Sequence, residues 1–182
     1  MLGGNYFQVT AIKAAKELGY HVITVDYLPE NPGHQFADEY HNVSTTDREA
    51  VLDLAKRLQI DGIVSYASDV SAPTAAYVAE KLGLPTNPLS GVEILTHKDS
   101  MRKFMEENGF AVPKGSSFED KQAAYNFFTT IKKPAMVKPV DASGSKGVCK
   151  VLHDEDFDDA WTEAKKYSRN GKIIIEEFIQ RV

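Results

Sequence analysis

The sequence predicts a mixed α/β protein, with a parallel sheet in its first half and a strand–loop–strand unit at the centre of its second. Three observations carry that prediction. Strand-like and helix-like patterns alternate from Leu2 to Gly83, the order of a parallel sheet whose crossovers are helices. The run Leu84–Pro88 (LPTNP) breaks the alternation and marks a boundary between residues 1–90 and 91–182. Pro134–Leu152 (PAMVKPVDASGSKGVCKVL) then reads as two short strands around a loop of small residues.

In the first half, Leu2-Gly3-Gly4 reads as the end of a very short or truncated strand turning into a helix. Phe7, Ala11, Ala14, Ala15 and Leu18 fall on one face of that helix, and Gly19 closes it. His21–Asp26 is the next strand. A strand–helix–strand start with glycines at its first turn suggests a nucleotide-type crevice. The dinucleotide fingerprint G-x-G-x-x-G fails, however, because Gly3-Gly4 meets no further glycine before Gly19. Asp26 is accordingly read as a turn residue at a strand end. Pro29–Asp38 is a loop and Tyr40–Val43 a brief strand. Thr46-Asp-Arg-Glu49 reads as a capping box for a helix whose apolar face is Val51, Leu54, Ala55 and Leu58. Gly62–Tyr66 is a strand, and Ser68-Asp69 caps a helix through Ala75, Ala76, Val78, Ala79 and Leu82. Ligands of open parallel sheets dock beyond the carboxyl ends of strands, which makes Ser65, Ser68 and Asp69 candidate substrate residues. A plain helix cap is the competing reading of Ser68 and Asp69.

In the second half, helices are expected at Gly91–Leu95 and at Asp99–Asn108, the latter with Met101, Phe104 and Met105 on one face. Lys98 opens this helix against the preference of the macrodipole, which disfavours a cation there and invites a functional reading, with a solvated lysine as the default. Phe110–Gly115 is a predicted strand and Glu119–Thr130 a helix with Ala123 and Phe127 inward. Two glycines and two serines in Asp141–Gly147 let backbone N–H groups approach one anion closely, and Lys138 and Lys146 supply charge. That composition suits a phosphate cradle; a soluble hairpin tip is the alternative. His153–Trp161 is acidic, but its carboxylates sit where a helix carrying Phe157, Ala160, Trp161 and Ala164 begins, which favours a solvated helix start over a metal cluster. Lys172–Ile179 is an apolar strand ending in two acids and an aromatic residue.

Composition narrows the function classes. A net charge of −5 provides no basic footprint for nucleic acid. No apolar run approaches a membrane span, and no basic region precedes an apolar segment at the start; the expected location is cytoplasmic. Cys149, the one cysteine, lies in a strand pattern and reads as a buried thiol. His21, His34, His41, His97 and His153 show no metal-ligand spacing, so no metal residue is assigned in this chain. Walker A and nucleophile-elbow motifs are absent.

Lys98, Val137-Lys138-Pro139, Ser143–Val148 (SGSKGV) and Glu176–Ile179 (EEFI) occur in an order and spacing that resembles the first half of an ATP-grasp enzyme of the carbamoyl-phosphate-synthase-like branch of carboxylate–amine ligases. The resemblance covers nearly the whole chain. It implies a Rossmann-like parallel-sheet domain preceding the grasp, then the N-terminal, α+β lobe of an incomplete ATP-grasp domain. It implies that Lys98 and Lys138 contact ATP phosphates and that Ser143, Gly144, Ser145, Lys146 and Gly147 form a lid over them. Glu176, Glu177, Phe178 and Ile179 would make the adenine hinge, with backbone groups of Glu177 and Ile179 reading the base edge. The implied chemistry is acyl-phosphate formation from a small-molecule carboxylate or bicarbonate-like acid, followed by displacement of phosphate by an amine or similar nucleophile.

The family's ligands for Mg2+, and the arginine that orients the acceptor, belong to a C-terminal lobe that would follow Val182. The expectation is therefore a fragment, short of residues at both ends and unable to run the full reaction alone. Two other readings stay open: a non-catalytic nucleotide-binding or regulatory module, and an oxidoreductase domain, the latter disfavoured by the failed glycine fingerprint. Neither the two substrates nor the oligomeric state is specified by the sequence, and a homo-oligomer remains open.

Overall fold

A computed structural model describes residues 1–180. They form two compact units, Met1–Glu93 and a second from Ile94 onward. No helix among the described residues is long and apolar enough to cross a membrane.

In the first unit, β1 (Ile23–Val25) and β2 (Glu39–His41) pair in parallel, Ile23 opposite Glu39 and Val25 opposite His41. Leu2 bridges in parallel to Val25 on one side and to Ser65 on the other, so the order across the sheet is β2, β1, Leu2, Ser65. The predicted strand Gly62–Tyr66 is thereby reduced to a single bridge, since a ladder lasts only as long as its neighbour and that neighbour is Leu2.

The helix α1 (Val9–Glu17) buries a different face from the one its alanines suggest. Gln8 and Ile12 are buried, Ala11 and Ala15 half-buried, while Phe7, Ala14 and Leu18 are exposed. The reason is a capped turn at Tyr6–Gln8. Phe7 N–H donates to Asn5 Oδ1, Asn5 N–H donates to Gln8 Oε1, and Gln8 Nε2 donates to the Tyr66 carbonyl. These bonds turn Gln8 inward, and Ile12 follows one turn later.

The helix α2 (Arg48–Leu58) is capped by Asp47 rather than Thr46: Asp47 Oδ1 accepts from Ala50 N–H at 3.1 Å, while the Thr46 hydroxyl pairs with that of Ser44. The cap of α3 (Ala72–Leu82) is Ser71, not Ser68-Asp69. Val51, Leu54 and Ala55 of α2 and Ala75 and Val78 of α3 pack with Leu2 and Val25 into the core of this unit. Each fully buried valine or leucine contributes roughly 1.5–3 kcal/mol.

A helix α4 (Leu89–Thr96) leads to α5 (Lys98–Glu107). On α5, Met101, Arg102 and Met105 are half-buried and Phe104 is exposed, so a guanidinium shares the face assigned to apolar residues. The four-stranded antiparallel sheet of the second unit has the order β3 (Gly115–Phe118), β6 (Ile173–Glu177), β4 (Ala135–Pro139), β5 (Cys149–Val151). β3 starts where the predicted strand Phe110–Gly115 ends. A Cβ on Gly115 would stand 2.7 Å from both Glu176 Cγ and the Ile175 carbonyl oxygen, so glycine lets the chain meet β6 at that point.

The helix α6 (Lys121–Phe128) is capped by Asp120, which accepts from Ala123 N–H at 2.7 Å, and buries Ala124 and Phe128. The predicted inward pair was one residue out of phase: Ala123 is exposed and Phe127 only half-buried. With α7 (Phe157–Tyr167), α6 covers one sheet face, where Phe128, Phe157, Trp161, Ala135, Val137, Ile173 and Ile175 form the core. The acidic run opens α7 as expected, through a turn at Asp154–Asp156 and then Asp158 and Asp159 in the first helical turn.

Candidate functional site

Side chains alternate between the two faces of a strand, and in the second unit that alternation separates core from site. Ala135 and Val137 of β4 and Ile173 and Ile175 of β6 enter the helical core. Lys138, Ile174 and Glu176 therefore stand on the opposite face, with Lys138 in register with Ile174 and Met136 with Glu176. Lys150 of β5, opposite Met136, shares that face. α5 contributes to it as well, since Ser117 Oγ donates to Asp99 Oδ2 at 3.3 Å and Arg102 Nε donates to Glu176 Oε1 at 2.7 Å.

Glu176 is the hub of this face. It is 1% exposed, and its second carboxylate oxygen receives the Lys138 ammonium. Burial pushes its carboxyl upward, but the hydrogen bonds from Lys138 and then Arg102 outweigh burial and hold it below the ordinary glutamate value. A buried carboxylate gripped by two cations stays charged, and it would be left uncompensated only if both were removed.

Lys98 is the first residue of α5. Its backbone N–H donates to the Val140 carbonyl at 3.1 Å. Its ammonium donates to the carbonyls of Pro139 at 3.0 Å and Ala142 at 2.6 Å, with Val140 at 3.5 Å. These oxygens offset the unfavourable helix-start position and join α5 to the root of the glycine-rich loop.

That loop connects β4 to β5. Gly144, Ser145 and Gly147 all adopt left-handed backbone, with φ of 65°, 57° and 66°. At Gly147 the surroundings also demand glycine, because a Cβ would lie 2.9 Å from the Tyr167 ring and 3.2 Å from Ala164 Cα. The side chains of Ser143, Ser145 and Lys146 make no hydrogen bond or ion pair among the described residues; Ser145 and Lys146 are exposed and Ser143 is half-buried. One root of the loop is fixed: Asp141 accepts from the N–H groups of Arg169 at 3.1 Å and Asn170 at 2.8 Å. A firm base with an exposed cationic tip is what a cover over an anion requires.

Glu177, Phe178 and Ile179 leave β6 beside this face. The Lys114 N–H, which would occupy the Glu177 carbonyl in a continuing ladder, bonds the Glu177 carboxylate instead at 3.0 Å. The Ile179 N–H makes no hydrogen bond among the described residues. The strand end thus presents an acceptor and a donor two residues apart. Phe178 is one-third exposed, and the Lys150 ammonium lies 4.0 Å from its ring centroid.

Of the first-unit candidates, Ser65 Oγ bonds the Ser68 carbonyl and Ser71 Oγ, each at 2.7 Å; Asp69 is exposed on the same loop. Asp26 accepts from Leu28 N–H, as a turn residue does, and also from Gly4 N–H and Asn31 Nδ2. A 570 Å3 cavity in this unit is bounded chiefly by apolar side chains, among them Leu2, Val25, Leu54, Leu58 and Ile60. Cys149 is half-buried, and burial pushes its thiol upward, as suits an inert packing residue.

Arg102 and Lys150 stand on the candidate face and were missed by motif reading. Their signal was periodic: Arg102 lies one helical turn after Lys98, and Lys150 sits between core-facing Cys149 and Val151.

Residues 12–86 match the family model described as the ATP-grasp N-terminal domain, and residues 97–182 match that of the carbamoyl-phosphate synthase L chain, ATP binding domain. The formate-dependent phosphoribosylglycinamide formyltransferase of Burkholderia thailandensis is 32% identical over 99% of this chain and 46% of its own length. That of Burkholderia vietnamiensis is 30% identical over 98% and 45%. The chain thus spans about half the length of the curated relatives it matches. Among solved structures, N5-carboxyaminoimidazole synthetase from Staphylococcus aureus complexed with ADP aligns with a TM-score of 0.76 at 18% identity, covering 98% of this chain and 46% of that one. The biotin carboxylase domain dimer of Hydrogenobacter thermophilus 2-oxoglutarate carboxylase, in complex with MgADP, ADP and bicarbonate, aligns with a TM-score of 0.73 at 20% identity over 98% and 44%. At such identities the structural likeness shows the fold.

Proposed function

The chain belongs to the ATP-grasp superfamily, and from that premise we propose that it supplies the first domain and part of the ATP clamp of a carboxylate–amine ligase. The supporting observation is the charged face of the antiparallel sheet. It carries Lys138 beside a glycine-rich loop with the ammonium of Lys146 and, at the end of β6, the Glu177 carbonyl and Ile179 N–H, the last three without a partner among the described residues. These groups match the three parts of a nucleotide. The lysines suit phosphates, the Ser143–Gly147 loop suits a cover, and the hinge presents the acceptor and donor that an amino-purine edge requires.

In the reaction, a carboxylate oxygen bonds to the γ-phosphorus of ATP as the bond to the β-phosphate oxygen breaks, releasing ADP. An amine nitrogen then attacks the acyl carbon, phosphate leaves with its electron pair, and the nitrogen gives up a proton. Positioning and cation stabilisation dominate such transfers. In this chain, Lys138 holds phosphate oxygens, Lys98 reaches phosphate by giving up one of its loop-root carbonyls, and the loop excludes water. For Mg2+, no group of three or more histidine, cysteine, aspartate or glutamate side chains among the described residues is placed to hold a metal ion. Substrate selection belongs partly to the carboxyl edge of the first unit near Ser65, Ser68 and Asp69. A cytoplasmic location and a homo-oligomer are consistent with this reading.

Lys138→Ala tests the phosphate site. Losing a charged hydrogen bond should cost roughly 1.5–3 kcal/mol, a weakening of nucleotide affinity of about ten- to a hundredfold, while the fold persists. Unchanged ADP affinity by calorimetry would remove Lys138 from the site. ADP release by the natural polypeptide carrying this sequence, dependent on both a carboxylate and an amine, tests the ligase reading. Nucleotide binding without such release under any substrate pair would favour the non-catalytic module.

A further inference from the structure

Arg102 lies outside the lysine, loop and hinge motifs, yet it makes the most direct contact with the buried Glu176 from outside the sheet. A lysine paired with a buried glutamate alone forms a neutral couple, and its attraction for a phosphate falls accordingly. Here Arg102 Nε takes one carboxylate oxygen at 2.7 Å and Lys138 takes the other. Two cations share one anion, which leaves the three-residue cluster with one unit of positive charge. Because a guanidinium does not deprotonate in proteins, that excess is permanent.

The surroundings are built for this arrangement. Gly115 lacks the Cβ that would collide with Glu176 Cγ. On α5, Asp99 accepts from Ser117 Oγ, and neither Asp99 nor Glu106 makes an ion pair with Arg102. Both Nη groups of Arg102 make no hydrogen bond among the described residues. A cavity of 310 Å3 runs alongside Arg102, lined also by Lys103 and by the carboxylates of Asp99, Glu106 and Glu176. The side chains of Arg102 and Lys138 remain 28% and 15% exposed, so the charge is accessible from solvent.

We propose that Arg102 is a positioning residue of the nucleotide site, which neutralises Glu176 so that the buried carboxylate orients Lys138 without cancelling its charge toward phosphate. This rests on the nucleotide reading given above. α5 then provides two cations one helical turn apart: Lys98 ties down the loop root, and Arg102 sets the charge of the sheet face.

The test is calorimetric titration of ADP into the natural polypeptide carrying this sequence and into four variants, with thermal unfolding as the check on folding. Arg102→Gln should weaken ADP binding about tenfold, equivalent to ~1.4 kcal/mol, whereas Arg102→Lys should stay near the parent. Arg102→Gln combined with Glu176→Gln restores the single positive charge and should recover affinity toward the parent. A purely structural arginine would give a double variant at least as impaired as the single one. If Arg102→Gln does not fold, Glu176→Gln alone, with two uncompensated cations, should bind ADP more tightly than the double variant. Parent-like affinity in Arg102→Gln, or no recovery in the double variant, overturns the proposal. A parent protein that binds no ADP overturns the nucleotide reading itself, so the two failures are distinguishable.

Discussion

Glu176 carries the strongest single-residue consequence. Its carboxyl is held below the ordinary glutamate value of 4.5, because hydrogen bonds from Lys138 and Arg102 prevail over the opposing effect of burial. A carboxylate with a lowered folded-state pKa contributes stability that is present above its unfolded value and lost as pH falls through the folded one. Denaturant unfolding followed from neutral pH downward should therefore show the parent losing stability more steeply than Glu176→Gln. Parallel slopes would mean that the cluster adds nothing to acid sensitivity. Lys98 shows why a residue that runs against local preference repays attention: its charge at a helix start is met by carbonyls of Pro139 and Ala142.

Among the elements, the loop between β4 and β5 depends on backbone conformation more than on side-chain chemistry. Gly147 combines a φ of 66° with neighbours closer than a Cβ tolerates, whereas a Cβ on Gly144, at 65°, would meet nothing within 4 Å. Left-handed backbone at a non-glycine residue costs about 1–3 kcal/mol. Gly144→Ala should carry that conformational cost alone. Gly147→Ala should be clearly more destabilising in chemical denaturation, because the Tyr167 ring and the α7 backbone must also move. Equal losses would show that the packing around Gly147 yields freely.

For the whole molecule, the two cores are drawn from separate stretches of chain. One gathers Leu2 to Val78, the other Ala124 to Ile175. Phe128→Ala removes a fully buried ring that packs 4.7 Å from Phe157 between centroids, and should cost about 3–5 kcal/mol. Hydrogen exchange should then accelerate in β4, β6 and α7, while amides of α2 keep their protection. Equal loss of protection in α2 would show that the units unfold as one.

Periodicity and composition alone determined the alternation of strand and helix, the faces of α2, α3 and α7 and the strand–loop–strand. Those features depend on residues near one another in the chain. Tertiary structure decided what depends on a distant partner. Asn5 and Tyr66 turned Gln8 inward and shifted the face of α1; Gly115 began β3 where Glu176 left room; the brevity of Leu2's pairing reduced Gly62–Tyr66 to one bridge. The charge cluster belongs to the same class. Arg102 and Glu176 are 74 residues apart, and Lys138 and Glu176 are 38 apart, so no local pattern reveals that two cations share one carboxylate. Hydrophobic spacing sets which face of an element is buried, but only the folded chain brings opposite charges from three elements to one point.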